Sequence, residues 1–538
     1  MEKLNSRLYV YTRATDEYYP AGLANSIHFS FTLDSNEKQC LNRNYGILFA
    51  KAIVLDDNTL LPLGVRNPQI FVMNDGYIGI SAERILENGE AYKPEENKVL
   101  FWKTKDLIDF TEEELIEKAA LSQYNPSESI EVEDTLILDA QNYYGPITLI
   151  ETVSPYAAIV KSIDSVDQFD ATLKYSDGSE RKKKIIWEKD GITLSENLTE
   201  VKGHIHQQSF KFPLSKGYGD PVIFHWENKW YFISTNDNLN DIGIYVRESD
   251  DVDGLFKEGY EEHLILGFDA DRGFEQTFWA PEFHVIGGEL YILFAVSGHQ
   301  WGPQSHMMKL KPGEPIIDAD SWEDPVRVIK KDGTPLAMGA ITLDMTYFKA
   351  GEKSYVSWSY REGIGTHKDT GSMVFIATID ENEPWRLTSD PVLLTRPLYG
   401  WENVSGTINN EGPYAFIREG KVFLTYSGGA ANGFTYVLGL LSADADKDLL
   451  DISNWTKSKN PVLDFYSVKG EYGCGHNSFF VNEDGELMIA YHGETDINSH
   501  LRCDGIRRVH FRKDNTPYFK MSQDEDLTDT DVIIRLKK

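Results

Sequence analysis

The sequence predicts an all-β protein: a five-bladed β-propeller domain, preceded by a β-rich accessory region that includes an immunoglobulin-like sandwich. The first observation behind this is a repeat. Asp220, Glu282, Asp344, Glu411 and His476 recur at intervals of 62, 62, 67 and 65 residues. The second is that each of them opens the same kind of hairpin, PVIFHWENKWYFIST after Asp220, FHVIGGELYILFAVS after Glu282, MTYFKAGEKSYVSWS after Asp344, GPYAFIREGKVFLTYS after Glu411 and NSFFVNEDGELMIAYHG after His476. An apolar strand, a Gly, Asn or Asp turn and an aromatic-rich strand make one supersecondary unit, and five copies close a ring that leaves few edges exposed. The third is composition: aromatic residues form 12% of the chain and suit sheet cores. If the first strand of each unit lines the channel, the five repeated side chains gather on one side of it.

Taken in order, residues 1–124 hold a weaker copy of the hairpin, RNPQIFVMNDGYIGISA followed by KVLFWKTKDLIDF, with Asn67 where the later copies carry an acid. We expect a degenerate propeller-like or accessory β-domain here. One helix is expected, at Thr111 to Leu121, because TEEELIEKAAL begins with a capping box of Thr111 and Glu114. Residues 125–210 read as short strands. ATLKYSDGSERKKKIIWEKDGI has the alternation and turn of a small sandwich, and is similar to bacterial immunoglobulin-like modules with a YSDGS turn followed by a tryptophan. Residues 211–538 carry the five full repeats and form the expected propeller.

Charge narrows the partners. The net charge is -32, from 85 acidic against 53 basic residues, which argues against nucleic acid and anionic membranes and fits a neutral substrate. A solubilising surface accounts for the excess acid better than a direct functional role of the net charge does. No stretch approaches the length of a membrane-spanning helix. Cys40, Cys474 and Cys503 show no metal-ligand spacing and cannot all pair, which suggests a reducing compartment. The start, MEKLNSRLYVYTRATDEYY, lacks the apolar core of a signal peptide. Together these lead to the expectation of a cytoplasmic protein. Oligomeric state stays open.

Carboxylates on separate blades suit one chemistry in particular. Hydrolysis of a glycosidic bond with inversion needs a carboxylate to activate water and a protonated carboxyl to protonate the leaving oxygen, about 6.5 to 9.5 Å apart. A third carboxylate beside the acid would raise its pKa and keep it protonated near neutral pH.

The motifs around these residues resemble glycoside hydrolase family 43, five-bladed propeller enzymes acting on arabinose- and xylose-containing polymers. GYGDPVIF presents Asp220, WAPEF presents Trp279 and Glu282, ITLDMTYF presents Asp344, INNEGPYAF presents Glu411 and YGCGHNSFF presents His476, all in the family's order. The resemblance implies that Asp220 is the general base, Glu411 the general acid and Asp344 the residue that tunes the acid. For His476 it implies a channel histidine that holds calcium or another cation, often through water; the alternative is a hydrogen-bonded core histidine with no metal. No cofactor is required. Glu282 would bind substrate or serve as a satisfied buried carboxylate. Trp279 and Trp401 would wall the cleft, or fill the core. In SHLRCDGIRRVHFRKDNTPYF, Arg502 is chosen as the arginine that reaches the sugar, with Arg507 and Arg508 assigned to the surface.

Within the family, SNWTKSKNPVLDF and CGHNSFF are similar to the pattern of α-L-arabinofuranosidases. The expected activity is inverting release of terminal arabinofuranose from arabinose-containing oligosaccharides. A β-xylosidase or dual-activity enzyme is the runner-up. A non-catalytic carbohydrate-binding propeller is the reading from another class, although a binding module has no need of all three carboxylates. A retaining fructan-acting propeller would require an opening at Asp220 that the sequence lacks.

Overall fold

A computed structural model of the chain describes residues 5–33 and 37–538. The protein is all-β, and its contacts resolve into two compact units, residues 1–140 with 211–506, and residues 141–210 with 507–538.

In the first unit the five repeated hairpins each found an antiparallel sheet. Tyr218–Trp226, Gln276–Ile286, Ala340–Ala350, Asn410–Arg418 and Tyr472–Val481 are the first strands of consecutive sheets. Four of these sheets have four strands in simple up-and-down order, and the fifth has three. Each first strand packs against the next, and Tyr472–Val481 packs back against Tyr218–Trp226, so the five make a closed cycle. The incoming chain closes it. Gly217 N–H donates to Arg502 O at 2.8 Å and Leu214 N–H to Asp504 O at 2.9 Å, so the segment before the first sheet pairs with the last strand of the fifth. Between sheets, alternating apolar faces meet: Val222, Ile233, Phe283, Ile292 and Phe294 share one buried cluster, and Phe348, Tyr355, Leu424 and Tyr426 another.

Residues 1–140 belong to this same unit. Leu63–Val72, Ile78–Leu86, Lys98–Thr104 and Glu114–Glu117 form one more four-stranded sheet in the same order. The expected helix at Thr111–Leu121 is absent. Glu114–Glu117 is an edge strand paired with Lys98–Phe101, followed by a 3-10 segment at Lys118–Gln123. The local capping signal loses because Thr111 Oγ1 accepts the N–H of Lys103 at 3.1 Å, while Glu113 is drawn to Arg84 and to the amide of Lys51. A helix does form at Asp134–Tyr144, where the sequence suggested short strands. Tyr19, Leu23, Tyr45 and Phe49 join the cluster beneath the fourth sheet.

The second unit corrects the expected boundaries. A three-stranded sheet of Leu149–Val153, Asp170–Tyr175 and Glu180–Lys184 shares one core with a four-stranded sheet. The latter is centred on Thr530–Lys537, which lies parallel to Ala157–Ile159 and antiparallel to Thr199–Ile205. The repeat block thus ends at Ile506 rather than at residue 538, because Val532, Ile534 and Leu536 present an alternating apolar face that the core of residues 147–205 buries. Residues 125–140 likewise fall outside this unit, with Ser129–Glu133 paired to Asn5–Tyr9.

Candidate active site

The repeated residues share a backbone device. In the first strand of every sheet the pairing register slips, at Gly219/Val222, Trp279/Glu282, Leu343/Thr346, Glu411/Tyr414 and Gly475/Ser478. At each slip one residue takes a left-handed conformation: Asp220 (φ 58°), Ala280 (φ 44°), Asp344 (φ 54°), Gly412 (φ 57°) and His476 (φ 36°). A bulge turns a side chain out of the pleat, and strain of this sort persists where surrounding contacts over-determine it. The N-terminal sheet carries the same slip, at Arg66/Gln69, with Asn67 at φ 50°. There Asn67 Nδ2 merely donates to Glu83 Oε2 at 3.1 Å.

Asp220 is buried in a cage of cations and donors. Its Oδ1 meets Arg502 Nη1 at 3.0 Å and His476 Nδ1 at 3.0 Å, and its Oδ2 accepts Thr235 Oγ1 at 2.5 Å. Arg502 is anchored by Asp237, which takes Nε at 2.9 Å and Nη2 at 2.5 Å. This close approach needs Gly219, since a Cβ there would lie 2.0 Å from the guanidinium carbon. Burial alone would raise the pKa of Asp220, but Arg502 and His476 hold it well below the usual carboxylate range. His492 completes the cage as a neutral ring, with burial lowering its pKa. Its Nδ1 accepts the amide of Asp220 at 3.1 Å, which leaves Nε2–H to donate to Ala431 O at 3.1 Å.

The other two carboxyls behave oppositely. Burial pushes Glu411 up to about 7, assisted by the charge of Asp344 and only partly opposed by His476 and by the hydroxyl of Tyr436, which donates to Oε1 at 3.0 Å. Asp344 is itself raised by burial, against the pull of His476. Its Oδ2 accepts Ser359 Oγ at 2.7 Å and Gly412 N–H at 3.1 Å. Gly412 leaves room for the His476 ring, which lies 2.8 Å from where a Cβ would sit. Glu411 keeps some contact with solvent while Asp220 and Asp344 are buried. One carboxylate fixed in its charged form and one carboxyl protonated near neutral pH can supply base and acid to a single reaction.

His476 stands among these acids as a cation. Burial opposes its charge, yet Asp220 and Asp344 bring its pKa up to about 9. The contact of Nδ1 with Asp220 leaves Nε2 as the nitrogen that would meet a cation, directly or through water, in the neutral form of the ring. No step is routed through a metal here.

The remaining expected residues divide. Arg502 lies in the site, against Asp220. Trp279 is half-buried, with Nε1 donating to Asp241 Oδ2 at 2.9 Å. Glu282 is buried and pairs with His284 Nε2 at 2.6 Å, which favours support over contact with a ligand. Trp401 is fully buried in the core beneath the fourth sheet and walls no cleft. Arg507 and Arg508 are buried rather than on the surface, and Arg508 Nε donates to Asp526 Oδ2 at 2.7 Å. Thr235, Asp237, Tyr436 and His492 escaped the sequence reading. Thr235 and His492 close the second strands of the first and fifth hairpins, so the ends of those strands held the signal.

A closed cycle of antiparallel sheets that gathers three carboxyls around one histidine is the class of protein that fold and site define. The chain belongs to glycosyl hydrolases family 43, whose model matches residues 210–517. Over 322 residues it is 31% identical to an extracellular exo-α-(1→5)-L-arabinofuranosidase of Streptomyces avermitilis, covering 58% of this chain and 63% of that protein. It is 32% identical to the enzyme of the same name from Streptomyces chartreusis, covering 56% and 89%. The crystal structure of the α-L-arabinofuranosidase from Lactobacillus brevis aligns with a TM-score of 0.50 at 29% identity, covering 58% of this chain and 96% of that one. The chain thus spans less than two thirds of the first relative's length.

These relatives also overturn the expectation of a cytoplasmic protein, since the two Streptomyces enzymes are named as extracellular. The cysteine argument had little force: Cys474 and Cys503 are buried, where a thiol serves as a small apolar side chain in any compartment.

Proposed function

We propose that the chain is an inverting exo-acting α-L-arabinofuranosidase built on a five-bladed β-propeller, releasing terminal arabinofuranose from arabinose-containing oligosaccharides. The observation that carries this reading is the opposed titration of Asp220 and Glu411, one held as a carboxylate and the other raised to about 7 within the same site. The names of the relatives supply the sugar.

In the proposed mechanism a water approaches the anomeric carbon from the side of Asp220. Oδ1 of Asp220 already faces Arg502 and His476, whereas Oδ2 holds only the Thr235 hydroxyl, so Oδ2 has the free lone pair that takes the water's proton. Glu411 gives its proton to the departing oxygen. Asp344, negative beside it, keeps that proton in place until the bond breaks. Arg502 and His476 orient the base and balance its charge as the oxocarbenium-like transition state develops. After one turnover Asp220 is protonated and Glu411 ionised, and solvent exchange restores both.

An NMR time course on nitrophenyl α-L-arabinofuranoside tests the reading. Initial appearance of β-arabinose is expected. Initial α-arabinose would refute inversion, preferred cleavage of nitrophenyl β-D-xylopyranoside would reassign the sugar, and binding without turnover would favour a carbohydrate-binding module.

A further inference from the structure

The second unit carries a cluster of side chains with no part in that chemistry. His204 and His206 stand two residues apart at the end of the strand Thr199–Ile205, and this spacing puts both imidazoles on one face. Their rings lie 6.5 Å apart at 25° to one another. Asp529, just before the strand Thr530–Lys537, reaches both: Oδ1 lies 3.1 Å from His206 Nδ1 and Oδ2 lies 3.6 Å from His204 Nε2. Asp531 lies 3.0 Å from His204 Nδ1. Among the described residues, His204, His206 and Asp529 are the one group of three whose ligand atoms all lie within 4.8 Å of one another.

We infer that His204, His206 and Asp529 form a binding site for a divalent transition metal of the zinc, nickel or copper class. Two imidazoles and one carboxylate make a donor set that suits these ions and is poor for calcium or magnesium, which take oxygen ligands. Zinc at about 2.0 to 2.1 Å from each donor would draw the three atoms to within about 3.5 Å of one another, which rotation of exposed side chains allows. The position left open takes water. Asp531 accepts from the far nitrogen of His204, fixing the tautomer with Nε2 free toward the metal, the usual partner of a ligating histidine. Gln207 N–H donates to Asp529 Oδ1 at 3.0 Å and holds that carboxylate facing the rings. Because one ligand pair sits on residues 204–206 and the other ligand at residue 529, the ion ties together two strands of one sheet that are far apart in sequence. Its effect is to clip the C-terminal strand in place.

The alternative is a set of three surface imidazole–carboxylate contacts, each contributing little. The two are separated by titrating the full chain, stripped with a chelator, with zinc chloride in a calorimeter near neutral pH. We expect one ion bound per chain, a rise in melting temperature with zinc and none with magnesium. Lowering the pH should weaken binding, because protons compete with the metal for imidazole nitrogens. His206→Gln and Asp529→Asn are each expected to lower zinc affinity at least about tenfold. Cobalt(II) spectra of the unsubstituted protein read the ligand set directly, so the test stands even if a variant misfolds. Absence of saturable zinc binding by the unsubstituted chain would overturn the inference. So would binding that survives His204→Gln combined with His206→Gln, or a cobalt spectrum with oxygen ligands alone.

Discussion

Oδ2 of Asp344 accepts the backbone N–H of Gly412 at 3.1 Å, so the carboxylate of the third sheet is bonded to the residue that directly follows Glu411 on the fourth. Charge on Asp344 is thereby held at a fixed place beside Glu411, where it adds to burial in raising that carboxyl to about 7. The proposed acid works protonated, so activity is expected to fall as pH rises through about 7. In Asp344→Asn the negative charge is gone and the Gly412 bond can remain. The alkaline limb of kcat/KM should then move to lower pH, with kcat reduced. A limb unchanged by Asp344→Asn would separate Asp344 from the acid.

Removing either half of the proposed acid–base pair, Asp220 or Glu411, should cost about three orders of magnitude or more on a natural oligosaccharide. The two losses should differ in kind. Glu411→Ala should recover much of its rate on a dinitrophenyl glycoside, whose leaving group needs no proton, while Asp220→Ala should stay slow on both. Equal behaviour of the two variants across leaving groups would contradict the assigned roles.

Arg502 lowers the pKa of Asp220 through the 3.0 Å contact with Oδ1. Without it, burial counts for more, and the carboxylate takes up a proton at a higher pH. Arg502→Ala should therefore move the acidic limb of the kcat/KM profile upward, in the direction opposite to the alkaline shift of Asp344→Asn. Measuring both profiles in one buffer series checks the pair of signs.

In the second unit, burial would raise Asp526, but Arg508 and Arg181 bring it down to about 2 from 3.8. A depressed carboxylate stabilises the fold above the unfolded value, and that contribution is lost as pH falls from about 4 to about 2. Linkage makes it worth about 2 kcal/mol at neutral pH. Asp526→Asn is expected to lower stability by about that amount at pH 7 and by much less near pH 2, as urea melts of the full chain at the two pH values would report.

Trp279 and Trp401, for which the sequence leaves cleft wall and core both open, should separate cleanly. Trp401, stacked near Tyr399 and Tyr426 in a fully buried setting, should cost about 3 to 5 kcal/mol on replacement by alanine. Trp279→Ala should leave the melting temperature nearly unchanged and raise KM.

Much of the site was legible because each repeated residue opens a hairpin whose pattern is local. An apolar strand, a turn and an aromatic strand are neighbours in the chain, and the slip that turns Asp220, Asp344 and His476 inward recurs in each copy. Asn67 was legible for the same reason, as a copy without the acid. The helix expected at Thr111–Leu121 failed where a local cap competed with partners distant in sequence, Lys103 through its amide and Lys51 and Arg84 around Glu113. For Trp401 the sequence left cleft wall and core both open, and only its full burial beneath the fourth sheet decides for the core.

By itself, then, the sequence determined the all-β class, the five repeated sheets and the order of the three carboxylates, since all of these depend on short-range pattern. Tertiary structure alone decided that Thr530–Lys537 completes the sheet of residues 157–205, that residues 1–140 join the unit of the five sheets, and that Arg502 and His476 meet on one oxygen of Asp220. Each of these brings together residues hundreds of positions apart, and burial and Coulomb interaction depend on distance in space, which no local pattern encodes.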